Sequence, residues 1–268
     1  MSKFRDCIKK DISDRIGNEK DIAVFLSGGV DSTSCLLACI DIGLNITAYT
    51  FYLEGHESQD LHASRLISNN VGVPLKEIVV PYSLDKLQED TIRIINEFKT
   101  ARKTAVQCIH PFLYVIPAVK EKTIVSGLYA DDLYGTSRKG NIIGRKSRKE
   151  FDSFRLHSIS QEDYSCVYIR KAVERSGKKL VTPFVGGTLQ DYLMSLSWEQ
   201  MNTPVAKYIA VRAFSDYYGK NSWYRKNSNL QVNSGIREYH ELLLKTPLNK
   251  RHSDSVVGIY NSILRGET

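Results

Sequence analysis

The string SGGVDST at residues 27–33 combines the groups that hold a chain of phosphates. Gly28 and Gly29 let the backbone approach an anion in conformations that a side chain would forbid. A helix beginning there presents unpaired N–H groups and the positive end of its dipole to the phosphates. The hydroxyl groups of Ser27 and Ser32 can donate hydrogen bonds, and Asp31 is placed to hold Mg²⁺. The string therefore predicts a triphosphate-binding loop, although it matches neither the Walker pattern nor G-x-G-x-x-G.

Two adjacent acids, Asp131 and Asp132, lie in a second informative segment, SGLYADDLYG at residues 126–135. A pair of aspartates in a loop is more often a solvated turn. Here the pair follows a predicted strand, and the carboxyl ends of parallel strands meet at one edge of a sheet. We therefore expect Asp131 to complete a metal site that Asp31 begins.

The elements that must position these acids alternate between strand and helix in the first half of the chain. Apolar or β-branched runs predict strands at residues 22–26, 46–53, 75–80 and 123–128, and helices are expected over 58–70, 83–98 and 110–120. Such alternation predicts an α/β fold with a parallel sheet flanked by helices. His110 is the histidine expected nearest to the site.

The second half of the chain has a different pattern. Residues 136–150 hold six Arg or Lys with two glycines and are interpreted as a mobile basic loop. From Phe151 onward helical patterns dominate and no strand is expected. We therefore divide the chain into an ATP-binding region (1–135), the basic loop (136–150) and a helical C-terminal region (151–268) that completes the substrate site.

Both motifs resemble known ones. The string at residues 27–32 resembles the PP-loop of the N-type ATP pyrophosphatases. Residues 126–135 resemble the S-G-E-G-x-D-E-L-F-G stretch in the synthetase domain of asparagine synthetase, with matches at Ser126, Gly127, Asp131 and Gly135. Weaker similarities follow in order at residues 182–184 (TPF) and at Lys207 in AKYIAVRAF. The resemblance extends over roughly residues 20–235.

By that resemblance, the fold is HUP-like, of the adenine nucleotide alpha hydrolase type, and the cofactors are ATP and Mg²⁺. Asp31 and Asp131 would share the Mg²⁺, and Lys207 would face the phosphates. The remaining nucleotide contacts implied are Leu26, Ser27, Gly28, Gly29, Ser32, Phe51, Ser126 and Gly127.

Several departures from the family pattern concern the second half-reaction. The family's catalytic glutamate is replaced by Leu128, which cannot transfer a proton. The lysine expected near Asn227 is absent, and Lys226, one position away, is the candidate substitute. The candidate catalytic residues are therefore Asp31, Asp131, Lys207 and Lys226. Adenylation is expected to be retained, while the step that follows it stays open.

Composition limits the class of protein. No apolar run approaches the roughly 20 residues that span a bilayer, and the charged N-terminus lacks a signal core. The five cysteines are scattered without a C-x-x-C pair, so a reducing cytoplasm is expected. The formal net charge of +7 suits a protein that handles phosphates. Many proteins that touch no nucleic acid are equally basic, so the charge alone does not identify the substrate.

Three functions remain open. The first is an AMP-forming ligase that joins a small-molecule carboxylate to an amine or to ammonia. Because no glutaminase part is found, the nitrogen is expected from free ammonia, from an amine on the substrate, or from ammonia that a separate partner delivers. The second is an enzyme that activates a base of a nucleic acid, favoured by the basic segment and by the aromatic residues Trp223 and Tyr224. The third is a relative that binds ATP without catalysis.

Overall fold

A five-stranded parallel sheet forms the centre of the protein in a computed structural model that describes residues 2–160, 165–220, 223–225 and 230–267. The strands are β1 (Asp21–Phe25), β2 (Asn45–Leu53), β3 (Leu75–Val80), β4 (Thr123–Val125) and β5 (Lys179–Val181). Their order across the sheet is β3-β2-β1-β4-β5. Residues Ile22 to Phe25 of the central strand are all buried, as expected for a strand covered on both faces.

Helices cover both faces of the sheet. In the first half they are α1 (Lys3–Ile16), α2 (Val30–Asp41), α3 (Gln59–Val71), α4 (Leu84–Phe98), α5 (Lys103–Ile109), α6 (Phe112–Ala118) and α7 (Ala130–Tyr134). The second half adds α8 (Arg138–Lys146), α9 (Arg148–Ser160), α10 (Ser165–Arg175), α11 (Thr188–Ser195), α12 (Trp198–Asn202), α13 (Tyr208–Ala213), α14 (Ser215–Tyr218), α15 (Leu230–Asn233), α16 (Ile236–Glu241) and α17 (Val256–Leu264).

The core consists of three apolar clusters. One joins α1 and α2 to the sheet through Ile8, Leu36 and Val24. A second covers the other face, where α6 and α10 pack on β1 and β4. The third lies among α4, α5, α16 and α17 and is centred on residues such as Ile94 and Tyr260.

The strand order reverses between β1 and β4. From β1 the chain proceeds to β2 and β3 on one side, whereas β4 and β5 lie on the other side. Loops that leave the carboxyl ends of two such strands diverge and open a crevice, which is where open α/β sheets bind their ligands. The phosphate-loop string follows β1 and the Asp131–Asp132 pair follows β4, so the fold places both motifs at this crevice.

The α/β prediction is confirmed, and the strands predicted in the first half are all present. Residues 75–80 form β3 with the bounds expected, and the helix predicted from residue 83 begins at Leu84. Among the described residues, no helix is long and apolar enough to span a membrane.

The expectation of a mobile loop at 136–150 was wrong, because α8 occupies residues 138–146 and α9 begins at Arg148. Gly140 and Gly144 are packing positions. A Cβ on Gly140 would lie 2.9 Å from the backbone of Gly135, and one on Gly144 would lie 2.6 Å from the Trp198 ring. The sequence pattern of residues 136–150 cannot reveal these two contacts, because Gly135 and Trp198 belong to other elements.

The expectation of no strand after Phe151 was also wrong. β5 pairs with β4 over three residues, from Thr123 with Lys179 to Val125 with Val181. A three-residue strand shows too little alternation to be found in a sequence, and its pairing with the edge of the sheet determines it.

Candidate functional site

The loop after β1 is folded onto its own hydroxyl groups. The Ser27 N–H donates to Ser32 Oγ at 3.2 Å, and the Ser32 hydroxyl donates to the Gly29 carbonyl at 3.2 Å. Gly28 has φ +70°, and a Cβ there would lie 2.4 Å from Ala63 Cβ in α3. The glycine is therefore required both by the left-handed backbone and by the close approach of α3.

The loop after β4 closes against the first one at Gly127. A Cβ on Gly127 would lie 2.8 Å from the backbone carbon of Asp31 and 2.9 Å from the Ser32 nitrogen. Ser126 ties this loop to the sheet, because its N–H donates to the Val181 carbonyl at 3.0 Å. Two acid-bearing helix starts, those of α2 and α7, are thereby held side by side.

Lys207 lies between the two acids. Its Nζ is 2.5 Å from Asp31 Oδ2 and 2.7 Å from Asp131 Oδ1, and its side chain is buried. The residue has a left-handed backbone with φ 59° before α13, and its N–H donates to Asn202 Oδ1 at 2.9 Å. Asn202 in turn donates to the carbonyls of Tyr134 and Trp198. A network from three helices therefore fixes where the ammonium group points.

Burial and charge act in opposite directions on this cluster. Burial raises the pKa of Asp31 to about 6, with a contribution from Asp131 and against the influence of Lys207. For Lys207, burial alone would lower the pKa, but the two carboxylates outweigh it and the pKa is raised. At neutral pH the lysine is therefore charged and the Asp31 carboxyl group is ionised.

A cavity of about 380 Å³ opens above this cluster, within the size range of small-ligand sites. Nine of the predicted site residues line it: Leu26, Ser27, Gly29, Asp31, Ser32, Phe51, Ser126, Gly127 and Asp131. Gly28 supports the loop from behind, against α3. Lys207 lies beneath the cavity, paired with the acids. Lys226 lies outside the described residues.

The acids can accommodate a divalent metal ion. Asp31 Oδ1 is buried and accepts no hydrogen bond, so one carboxylate oxygen in the cavity wall lacks a partner. Among the described residues, His, Cys, Asp and Glu form no group of three able to hold a metal ion. Mg²⁺ commonly binds through one or two carboxylates together with substrate phosphates. The donor set therefore fits a metal ion that arrives with ATP.

Sequence reasoning missed the polar wall opposite the phosphate loop. Asp60, in the first turn of α3, accepts hydrogen bonds from Arg225 at 2.8 Å and from Asn233. Burial raises the pKa of Asp60 against the influence of Arg225. No local signal marked this acid, because its partners lie about 165 residues away along the chain.

Two cysteines from different helices, Cys108 and Cys166, also line the cavity. Because the two cysteines are far apart in the chain, the sequence did not predict that both line one cavity. Burial raises the pKa of Cys108 to about 12, so that thiol stays protonated at neutral pH. Cys35 and Cys39, the i, i+4 pair of α2, are buried in the core.

His110, the histidine expected nearest to the site, lies in the chain between the lining residues Cys108 and Phe112 but does not itself line the cavity. It is buried, with Nδ1 2.9 Å from His240 Nε2 and Nε2 3.3 Å from Asp90 Oδ2. Trp223 is likewise buried and packs against Tyr217 and Tyr218, so its ring faces the core and is not available to stack on a base.

A parallel sheet with a glycine-rich loop at its switch point, and acids from two strand ends beside that loop, defines a PP-loop nucleotide-binding protein. A family model described as asparagine synthase matches residues 3–160, more than half of the chain. The chain belongs to the asparagine synthase family. It is therefore an ATP-using protein of the PP-loop class.

Three solved structures with distant similarity to this chain are the following. A predicted subunit of tRNA methyltransferase from Methanocaldococcus jannaschii is 18% identical and has a TM-score of 0.36, covering 77% of this chain and 92% of its own. The U34-tRNA thiolase NcsA from Methanococcus maripaludis, with its [4Fe-4S] cluster, is 16% identical with a TM-score of 0.41, covering 98% and 78%. NMN synthetase from Francisella tularensis is 12% identical with a TM-score of 0.35, covering 90% and 92%. Similarities this distant carry no argument about what this chain acts on. No curated protein matches the sequence.

Proposed function

We propose that the protein cleaves ATP between the α and β phosphates, transfers AMP to an oxygen of an acceptor and then exchanges that oxygen for nitrogen. One observation carries the proposal: Asp31 and Asp131, 100 positions apart, meet beside the phosphate loop at the switch point of the sheet. In the first step the acceptor oxygen attacks the α phosphorus, and the bond to pyrophosphate breaks. In the second, ammonia or an amine attacks the activated carbon, AMP leaves with the C–O electron pair, and the nitrogen loses a proton to solvent.

The residues of the cavity divide these tasks. Backbone N–H groups at the start of α2 and the hydroxyl groups of Ser27 and Ser32 face the phosphates. Leu26 and Phe51 form an apolar wall for the adenine. Lys207 supplies positive charge beside the departing pyrophosphate. Asp31 and Asp131 would hold Mg²⁺, which when bound neutralises charge on the phosphates.

The nitrogen-transfer step lacks an acid–base residue at the family position. Leu128 lines the cavity there and cannot take a proton. We therefore propose that the attacking nitrogen is already a good nucleophile and loses its proton to water. The role of Lys226 stays a prediction.

The products formed from ATP test this function. The protein is incubated with Mg²⁺ and ATP labelled in the α phosphate, alone and with amino acids, amines, RNA or DNA, and the nucleotides are separated. We expect acceptor-dependent AMP and pyrophosphate. ADP with free phosphate would refute the cleavage position, and ATP binding without turnover for every acceptor would indicate a non-catalytic relative.

A pair of matched variants assigns the reaction to the site. Asp31→Asn removes a carboxylate from the cavity, and we expect AMP formation to fall by at least about 100-fold, since a metal ion contributes several kcal/mol to the transition state. Asp21→Asn makes the same change at the exposed start of β1, at the opposite edge of the sheet. It should leave the rate unchanged. Equal rates for the two variants would contradict the assignment.

A further inference from the structure

We propose that the acceptor is a neutral base carbonyl carried on a nucleic acid, and that its phosphates dock on a basic ridge beside the cavity. The ridge consists of Arg138, Lys139, Arg145, Lys146, Arg148 and Lys149, on α8 and the first turn of α9. The inference rests on the proposed function and names the substrate class of the same site.

Most of the charge of the ridge is not compensated by nearby acids, and it faces solvent. All six cationic side chains are exposed, and residues 138–149 contain no acid. Among the described residues, the ridge makes one ion pair, between Arg148 and Asp152 at 2.9 Å. Arg138 and Arg145 are seven residues apart, which places them on the same side of α8 about 10 Å apart. Such a row of cations matches a chain of phosphodiesters.

The ridge is held rigidly. Gly140 and Gly144 bring α8 so close to Gly135 and Trp198 that no side chain fits between them. The Arg145 guanidinium lies 4.3 Å from the centre of the Trp198 ring, and the Trp198 indole N–H donates to the Gly135 carbonyl at 3.2 Å. Cations on a packed helix lose less backbone conformational entropy on binding than those of a mobile loop, and the stacked Arg145 side chain is itself already ordered.

The ridge lies within reach of the cavity. Asp131 and Asp132 line the cavity in the first turn of α7, and Arg138 follows Asp131 by seven residues. An extended chain of that length spans at most about 25 Å, so the real distance is shorter. The Thr136 hydroxyl donates to Asp131 at 2.8 Å and ties the connection to the site. A strand bound on the ridge can therefore place one of its bases in the cavity.

The charge inside the cavity favours an uncharged acceptor group. The charged side chains among its described lining residues are four aspartates: Asp31, Asp60, Asp131 and Asp132. Lys207 is paired with Asp31 and Asp131, and Arg225 is paired with Asp60. With ATP bound, an acceptor carboxylate would lie beside the anionic triphosphate as well as these acids and would meet like charge, whereas an uncharged base carbonyl would not. The phosphates of such an acceptor thus match the basic ridge, and its uncharged base carbonyl matches the acidic cavity.

An anionic membrane fits the ridge less well. A helix that binds in a bilayer interface presents an apolar face to the lipid. The less polar side of α8, with Gly140 and Gly144, is buried against Gly135 and Trp198. Only Ile142 is a large apolar residue exposed on this helix among the described residues.

Binding measurements with two charge-matched variants test the ridge. The ridge variant is Arg138→Gln, Lys139→Gln and Lys146→Gln. The control is Lys20→Gln, Lys120→Gln and Lys122→Gln, exposed lysines near the amino ends of β1 and β4. Each variant loses three cations, so the net charge falls from +7 to +4 in both. Fluorescence anisotropy reports binding of labelled single-stranded RNA, duplex RNA, single-stranded DNA and duplex DNA between about 50 and 200 mM salt.

We expect wild type and control to bind at least one of these nucleic acids, and the ridge variant to bind it at least about tenfold more weakly. The slope of log K against log salt should decrease by about 2 to 3, for three lost phosphate contacts. The same nucleic acid should stimulate pyrophosphate release by wild type and control, and fail to do so with the ridge variant at the same concentration. Binding of a non-hydrolysable ATP analogue should be equal in all three proteins, which also shows that the variants are folded.

The contrary outcomes are distinct. Equal nucleic-acid binding by the ridge variant and the control, or ridge-dependent binding to phosphatidylserine vesicles but to no nucleic acid, would overturn the inference. Pyrophosphate release with amino acids alone would overturn it and leave the proposed function standing. Ridge-dependent nucleic-acid binding without pyrophosphate release for any acceptor would overturn the proposed function and the acceptor assignment with it.

Discussion

At the scale of single residues, Lys207 is the counter-ion that stabilises the site when no metal ion is bound. Two carboxylates that converge on one cavity repel each other, and a buried ammonium group between them removes that repulsion. Gly127 has the complementary role, since it lets the two acid-bearing loops touch. Lys207 thus supplies the positive charge between the acids, and Gly127 allows the two loops to approach each other.

Replacing Lys207 by methionine keeps the length of the side chain and removes its charge. We expect Lys207→Met to lower the free energy of unfolding by about 3 kcal/mol, because a buried acid is left without its counter-ion. Added Mg²⁺ should stabilise this variant more than wild type, since the metal ion can replace the missing cation. Urea unfolding with and without Mg²⁺ measures both effects. Lys10→Met, which breaks an exposed pair with Asp14, is the control and should change nothing measurable. Unchanged stability of Lys207→Met would contradict this role.

At the scale of elements, α8 shows how a segment that resembles a loop becomes a helix. Its two glycines, Gly140 and Gly144, lower its intrinsic helix preference. Ser137 caps its start by accepting from the Gly140 N–H at 3.0 Å, and the helix then packs closely against Trp198. Tertiary contact therefore outweighs local preference here.

Alanine at position 144 separates these two contributions. In an open helix Gly→Ala is stabilising by up to about 1 kcal/mol. Here the new Cβ would lie 2.6 Å from the Trp198 ring, so we expect Gly144→Ala to destabilise the protein by about 1–3 kcal/mol. Ile142→Ala, on the exposed side of the same helix, should change stability by less than about 0.5 kcal/mol. Thermal or urea unfolding measures the stability of both variants. A Gly144→Ala variant more stable than wild type would show that α8 does not pack as described.

At the scale of the whole molecule, a buried polar chain joins four helices away from the cavity. It runs from Asp90 through His110 and His240 to Tyr260, with 2.6 Å between the Tyr260 hydroxyl and His240 Nδ1. Burial, reinforced by His110 and Lys103, lowers the pKa of His240 well below its usual value of 6.5. Burial would raise the pKa of Asp90, but hydrogen bonds from His110 and Tyr114 outweigh it, and the pKa is lowered.

This chain makes stability depend on pH. Below about pH 6.5 the unfolded state binds a proton on His240 that the folded state does not, so the free energy of unfolding falls as pH falls. The contribution is at most about 1.4 kcal/mol per pH unit. We expect His240→Gln to lose this part of the slope between pH 7 and 5, measured by urea unfolding. The contribution of Asp31 is the same in wild type and in His240→Gln, so it cancels in the difference between their two slopes. The exposed His62→Gln should keep the wild-type slope, and a His240→Gln slope equal to wild type would contradict the assignment.

Much of the site could be predicted from the amino-acid sequence. The loop at 27–32 is recognisable because anion binding by backbone demands glycines at a strand-to-helix junction. The meeting of Asp31 with Asp131 follows from the rule that parallel strands end at one edge. Both inferences need only local patterns and a general property of sheets.

Other parts depended on packing between distant segments. β5 exists because β4 offers it an edge, and α8 exists because Trp198 and Gly135 receive its glycines. Asp60, Cys108 and Cys166 join the cavity from separate helices, and Lys207 reaches the acids through a network based on Asn202.

The amino-acid sequence by itself determined the class of the protein, the glycine-rich loop after β1 and the acids that follow β1 and β4, because each of these features is a short local string at the end of a strand. Only the tertiary structure decided which cation pairs with those acids, which walls enclose the cavity and where the basic ridge lies. These are contacts between residues far apart in the chain, and their free energy exists only once the elements have packed.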